Sequence, residues 1–89
     1  MKIVFHSFQG RYSDSPRAIH EALLERGDDV EHVWLSTPAH AHGFPEGTTT
    51  VLFGSQECID ALESADIVVS NTHIDLEWDK RPDTFYLQT

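Results

Sequence analysis

The chain has 89 residues, 39% of them hydrophobic and 24% charged, and its 15 acidic against 6 basic side chains give a net charge of -9. That length supports one domain at most, the composition is that of a folded globular chain, and the lack of a basic stripe sets it against nucleic acid as a partner. No apolar run approaches the roughly 20 residues of a membrane-spanning helix. The opening residues lack a secretory signal, and a lone Cys58 agrees with a reducing cytoplasm.

Apolar Ile3, Val4 and Phe5 predict a first strand over 2–8, covered on both faces as parallel strands are. A polar, glycine-containing loop leads to a helix predicted over 16–26. Ser15 is a good N-cap, and Pro16 suits the first helical position. Ile19, Ala22 and Leu23 form the buried stripe, and Gly27 supplies the left-handed residue that ends the helix. A second strand over 29–35 sets Val30, His32 and Trp34 on one face and Glu31, Val33 and Leu35 on the other. Its alternation predicts a place nearer the sheet edge. Residues 36–48, rich in Pro, Gly and His, read as loop. A short strand over 49–53 precedes a helix capped by Ser55, which runs to 64 with Cys58, Ile59 and Leu62 buried. Strands over 66–71 and 84–88 flank a polar loop at 72–83. His6 and His32 are expected at core or edge positions in strands, and His20 as a solvated helix residue.

This pattern predicts an α/β fold with a mostly parallel sheet. Parallel sheets need helices on both faces, and five strands with two helices leave the last strand without its crossover. The chain is therefore expected to be the first part of a larger protein, with Phe85, Tyr86 and Leu87 at an adhesive edge.

In open α/β sheets ligands bind outside the carboxyl ends of the strands, which points to the loop 7–17. Helix N-termini favour anions, and Arg11 and Arg17 add two cations to an otherwise acidic chain, so the loop suits a phosphate or another anionic group. The same residue types also serve an ordinary strand-to-helix turn. No dinucleotide or P-loop fingerprint is present, so no nucleotide cofactor is expected. Asn71, Thr72, His73, Gln88 and Thr89 leave later strands on the same edge, where small polar groups suit a ligand's hydroxyls. His40-Ala41-His42 has metal-ligand spacing, with His6, His73 and Asp75 available to complete a site. No Cys pair, HExxH or evident supporting shell accompanies it, and no metal is assigned. Ser7 and Ser13 lack a nucleophile-elbow context, and Cys58 lies on a buried stripe where thiols are inert. Glu77 and Asp79 around Trp78 read as a charged loop tip with one anchoring aromatic.

Taken in order, three segments carry a resemblance. The stretch Ser7-Phe8-Gln9-Gly10-Arg11-Tyr12-Ser13-Asp14-Ser15-Pro16-Arg17-Ala18-Ile19 resembles the opening S-F-x-G-x-x-Y-S-D-N-P-x-x-I of the CDP-glycerol glycerophosphotransferase family, the teichoic-acid primases and polymerases. Asp66 to Thr72 is similar to that family's strand ending in Asn-Thr, and Phe85-Tyr86-Leu87-Gln88-Thr89 to the strand leading into Trp-His-Gly-Thr-Pro. Ser15 stands where Asn is common. The resemblance implies an incomplete amino-terminal, Rossmann-like domain, residues 1–89, of a two-domain GT-B-type transferase. Such an enzyme moves glycerol phosphate from CDP-glycerol to a lipid-linked or polymeric phosphate-bearing acceptor, in the cytoplasm at the inner face of the membrane. It further implies that the donor binds mainly in the second domain and that the key histidine follows Thr89, so no catalytic residue is expected here. Ser7, Gly10, Arg11, Tyr12, Ser13, Asp14, Asn71, Thr72 and Gln88 would border the acceptor. A sugar-nucleotide GT-B glycosyltransferase and a stand-alone flavodoxin-like binding module are the alternatives.

Overall fold

The alternating apolar runs and amphipathic segments fold into a five-stranded sheet with a helix on each face, in a computed structural model that describes residues 1–27 and 29–89. The elements are β1 (Lys2–His6), a 3-10 turn (Phe8–Gly10), α1 (Asp14–Arg26), β2 (Glu31–Ser36), a second 3-10 turn (Ala41–Gly43), β3 (Thr50–Leu52), α2 (Gln56–Ser64), β4 (Ile67–Ser70) and β5 (Phe85–Gln88). Strand order is β3-β2-β1-β4-β5, and every neighbouring pair is parallel. β1 is central, hydrogen-bonded to β2 and β4, which is why Ile3, Val4 and Phe5 are apolar without alternation. The alternating β2 lies one strand in from the edge strand β3.

On one face Val4, Val33, Leu35 and Val68 meet Cys58, Ala61, Leu62 and Ala65 of α2 and its exit. Ile74 is buried with them, and Leu76 and Trp78 pack alongside, so the loop expected to be polar supplies part of the core. Burying Leu62 fully contributes about 1.5–3 kcal/mol. Ser55 caps α2 as expected, its hydroxyl accepting the Cys58 N–H at 3.1 Å. The stripe differs by one position, with Ala61 buried and Ile59 only half-buried.

On the other face Ile3, Phe5, Trp34 and Val69 meet Tyr12, Ile19, Leu23, Val30 and Phe44. The expectation for His20 is overturned here: it is 3% exposed, and its ring lies 5.2 Å from Phe5, 4.9 Å from His32 and 5.5 Å from Trp34. The inward stripe of α1 is Pro16, Ile19, His20 and Leu23, while Ala22 is exposed. An aromatic surface accepts an imidazole edge-on, so the helix presents His20 where an aliphatic side chain would sit over aliphatic strands. α1 also starts earlier than expected, with Ser13 as N-cap, and ends at Gly27 as expected. At the β5 edge Phe85 is 61% exposed and Leu87 is exposed as well.

Candidate functional site

Because the strands are parallel, their carboxyl ends emerge on one edge, and β1 is the point from which the order runs outward both ways. Such a switch point opens a crevice between the diverging loops. Here the exits of β1 and β4 are joined by Asn71. Its Oδ1 accepts the Phe8 N–H at 2.9 Å, and its Nδ2 donates to Ser7 Oγ and to the Asp14 carboxylate, each at 3.2 Å. The fully buried Ser7 shares a hydrogen bond of 2.8 Å with the Ser13 hydroxyl. Ser7, Ser13, Asp14 and Asn71 thus form one network that leaves the amide of Asn71 committed to the protein itself. It holds Gln9 and Asp14 at φ values of 59° and 58°, left-handed conformations costing non-glycine residues of order 1–3 kcal/mol each.

Gly10 is required by two conditions at once. Its φ is +72°, and a Cβ there would lie 2.7 Å from the backbone nitrogen of Thr37. Thr37 donates from Oγ1 to the Gln9 carbonyl at 2.9 Å. The loop 36–48 therefore forms a wall of the site, which its composition did not announce.

The cations separate. Arg11 is exposed, its Nε donating to His40 Nε2 at 3.4 Å. Arg17 pairs with Glu21 at 3.2 Å and lies 5.1 Å from the Tyr12 ring centroid. The Asp14 carboxylate already occupies the first turn of α1, where partial positive charge accumulates. Both cations are exposed, and Arg11 is the one with no carboxylate partner among the described residues. Tyr12 turns toward the sheet, its hydroxyl 3.0 Å from His20 Nδ1 and its ring against Trp34 and Phe44. Burial, then the nearby Glu21, push its pKa up, with Arg17 opposing. Thr72 donates its N–H to Ser70 Oγ at 3.2 Å. Gln88 is exposed on β5, in register with Ser70 and on the same edge.

Beside the network lies an open groove of about 250 Å³, bounded by His6, Phe8, Gln9, Gly10, Thr37, Phe53, Thr72, His73 and Asp75. Of these, Phe8, Gln9, Gly10, Thr72 and His73 were expected on this edge, His6 and Asp75 were considered only as completing a metal site, and Thr37 and Phe53 were not expected. The available signal was positional: His6 closes β1 and Phe53 follows β3, so a parallel sheet delivers both to this edge. A larger hollow of about 460 Å³ lies against Leu23, Val30, Glu31 and Thr49 and the far part of the loop 36–48, sharing no lining residue with the groove. Among the described residues no group of three or more His, Cys, Asp or Glu could hold a metal ion. No helix there is long and apolar enough to cross a membrane.

The fold matches solved structures of one class of protein, the wall teichoic acid polymerase TagF. Three of them, a His-to-Asn variant, a His-to-Ala variant and the His-to-Asn variant after a 15 minute soak with CDPG, superpose with a TM-score of 0.86 at 32% identity. Each covers 99% of this chain, which spans 22% of theirs. The teichoic acid poly(glycerol phosphate) polymerase of Staphylococcus epidermidis is 32% identical over 88 residues, which are 98% of this chain and 12% of that relative. The profile of the CDP-Glycerol:Poly(glycerophosphate) glycerophosphotransferase family matches residues 1–89, and the chain belongs to that family.

Proposed function

We propose that this chain is the acceptor-side part of the amino-terminal, Rossmann-like domain of a GT-B-type enzyme. That enzyme transfers glycerol phosphate from CDP-glycerol to a lipid-linked or polymeric phosphate-bearing acceptor at the inner face of the membrane. The observation carrying the reading is the Ser7–Ser13–Asp14–Asn71 network at the switch point, in a chain of this family. The network fixes the loop so that Gly10 lies against Thr37 and Arg11 is left on the outer surface. Arg11 would meet an acceptor phosphate with a charge-assisted hydrogen bond, while Thr72 and Gln88 border the same edge. Ser7, Ser13, Asp14 and Asn71 would act by holding that geometry, and Tyr12 by anchoring the loop on His20. The Ser70 hydroxyl beside His6 is buried and gives its proton to the Thr72 carbonyl, so we assign the segment a positioning role, with donor binding and chemistry in the remainder of the enzyme.

In the full-length enzyme, Arg11→Ala should lower kcat/KM for the acceptor about tenfold or more, since a charge-assisted bond contributes about 1.5–3 kcal/mol. CDP-glycerol affinity without acceptor should stay unchanged, and an equal loss of donor affinity would overturn the assignment. Residues 1–89 alone should release no CMP from CDP-glycerol in the presence of acceptor.

A further inference from the structure

The two nitrogens of His6 sit in different situations. The residue ends β1, is 5% exposed, and stacks on Phe53 with ring centroids 5.1 Å apart. Its Nδ1 lies 3.1 Å from Ser70 Oγ. A serine hydroxyl has one proton and two lone pairs. The Ser70 proton goes to the Thr72 carbonyl, and one lone pair accepts the Thr72 N–H. What remains on Ser70 can only accept, so Nδ1 of His6 carries the hydrogen. Burial lowers the pKa of this imidazole from its ordinary 6.5, so the ring is neutral near pH 7 and Nε2 holds an open lone pair. Among the described residues Nε2 has no partner, yet it is not sealed from solvent, and His6 lines the groove.

The groove around it has apolar walls and hydrogen-bond acceptors. Phe8 and Phe53 contribute ring surface and Asp75 a carboxylate, with His73 and Asp75 the other titratable groups facing the space. Arg11 is turned to His40 and does not line it. A phosphate placed there would meet a carboxylate and an unprotonated nitrogen, both unfavourable to an anion. A ligand that donates from hydroxyls and lays C–H surface on an aromatic ring meets neither objection. We infer that this groove binds the hydroxyl-bearing end of a polyol, the glycerol terminus of the acceptor, with His6 Nε2 accepting a hydrogen bond from one hydroxyl while the phosphate stays on the Arg11 side. The inference rests on the acceptor-side reading and divides the acceptor between two subsites.

The test uses the full-length enzyme with CDP-glycerol and a synthetic glycerol phosphate oligomer as acceptor. His6→Asn keeps an N–H for Ser70 where Nδ1 stood and removes Nε2. It should raise acceptor KM about 5–10-fold, the effect of one lost hydrogen bond, and leave donor KM within about twofold. His6→Gln, whose amide reaches the place of Nε2, should recover part of that loss, which a purely structural role would not produce. The wild-type acceptor KM should also rise as acidification protonates Nε2, and this rise should shrink in His6→Asn. An unchanged acceptor KM in His6→Asn overturns the inference while leaving glycerol phosphate transfer intact. A wild-type enzyme that transfers no glycerol phosphate overturns the acceptor-side reading itself. If His6→Asn does not fold, imidazole nitrogen NMR of the wild-type enzyme decides. An Nδ1–H tautomer whose Nε2 resonance moves on adding glycerol 1-phosphate supports the assignment; an Nε2–H tautomer, or no movement, overturns it.

Discussion

The two faces of the sheet are built from different side chains. Under α2 the contacts are aliphatic, from Val4, Val33, Leu35, Leu62, Val68 and Ile74, and the titratable group among them is Cys58, whose thiol burial pushes up. Under α1 the contacts are rings: Phe5, Tyr12, His20, His32, Trp34 and Phe44, with centroids 4.9–5.6 Å apart in the pairs they form. This face also buries polar atoms without a hydrogen-bond partner among the described residues, Nδ1 of His32 and Nε1 of Trp34. It is tied to the site loop through Tyr12 and His20. The α1 face therefore gathers two buried histidines that make its stability and the loop anchoring answer to protonation, whereas on the α2 side the buried histidine is His6, stacked on Phe53 at the carboxyl edge of the sheet.

The comparison breaks most visibly at Leu62. Leu62→Ala should cost about 2–5 kcal/mol through lost burial and the cavity left behind, read as a fall in the thermal midpoint. The pH dependence of that midpoint should change little, because the buried residues of this cluster include no imidazole or carboxylate, and His6 meets it at Phe53, on its rim.

Acid sharpens the contrast from the other side. Burial lowers the pKa of His20 and His32 from the ordinary 6.5; His32 lowers His20 further, and Glu21 partly opposes this. The unfolded chain then binds protons more tightly than the folded one. The contribution of these neutral rings is complete above the unfolded value and is lost as pH falls toward the folded values. Moving from about pH 7.5 to about pH 5 should lower the thermal midpoint, and His20→Phe should reduce that drop. An equal drop in His20→Phe would locate the acid sensitivity elsewhere, for instance at His6, whose burial acts with the same sign.

The smallest effect belongs to Arg17, on the outer side of α1. Its pair with Glu21 is about half exposed at both partners, so Arg17→Ala should change stability by about 0.3–0.5 kcal/mol, and less in high salt. A loss several times larger would mean that its contact with the Tyr12 ring matters more to the aromatic face than its exposure suggests.

The sequence carried the architecture because period and punctuation are local. Ile3-Val4-Phe5 announced a doubly covered strand, Ser55 a cap, and Gly27 a helix end. The same reading failed at His20 and Ala22. A histidine on an amphipathic helix is counted as polar until one knows that the opposing strands offer Phe5 and Trp34. The candidate site was legible as an edge of the sheet and as the loop 7–17, but not in the walls of its groove. Thr37 reaches Gln9 and Gly10 from a segment that looked featureless, and His6 gains its hydrogen-bond partner from Ser70. Such contacts join residues far apart in sequence, and periodicity is silent about them.

The central place of β1 has a consequence in time. Ile3 pairs with Ile67 and Val4 with Val68, so β1 is completed only when β4 is available. At about 5–20 residues per second of synthesis, the nascent chain spends several seconds with its central strand half-paired, leaning on β2 alone. Contacts of such long sequence separation are slow to close. The ribosome and its attendant chaperones are thus presented with Ile3-Val4-Phe5 as the segment most exposed to mispairing.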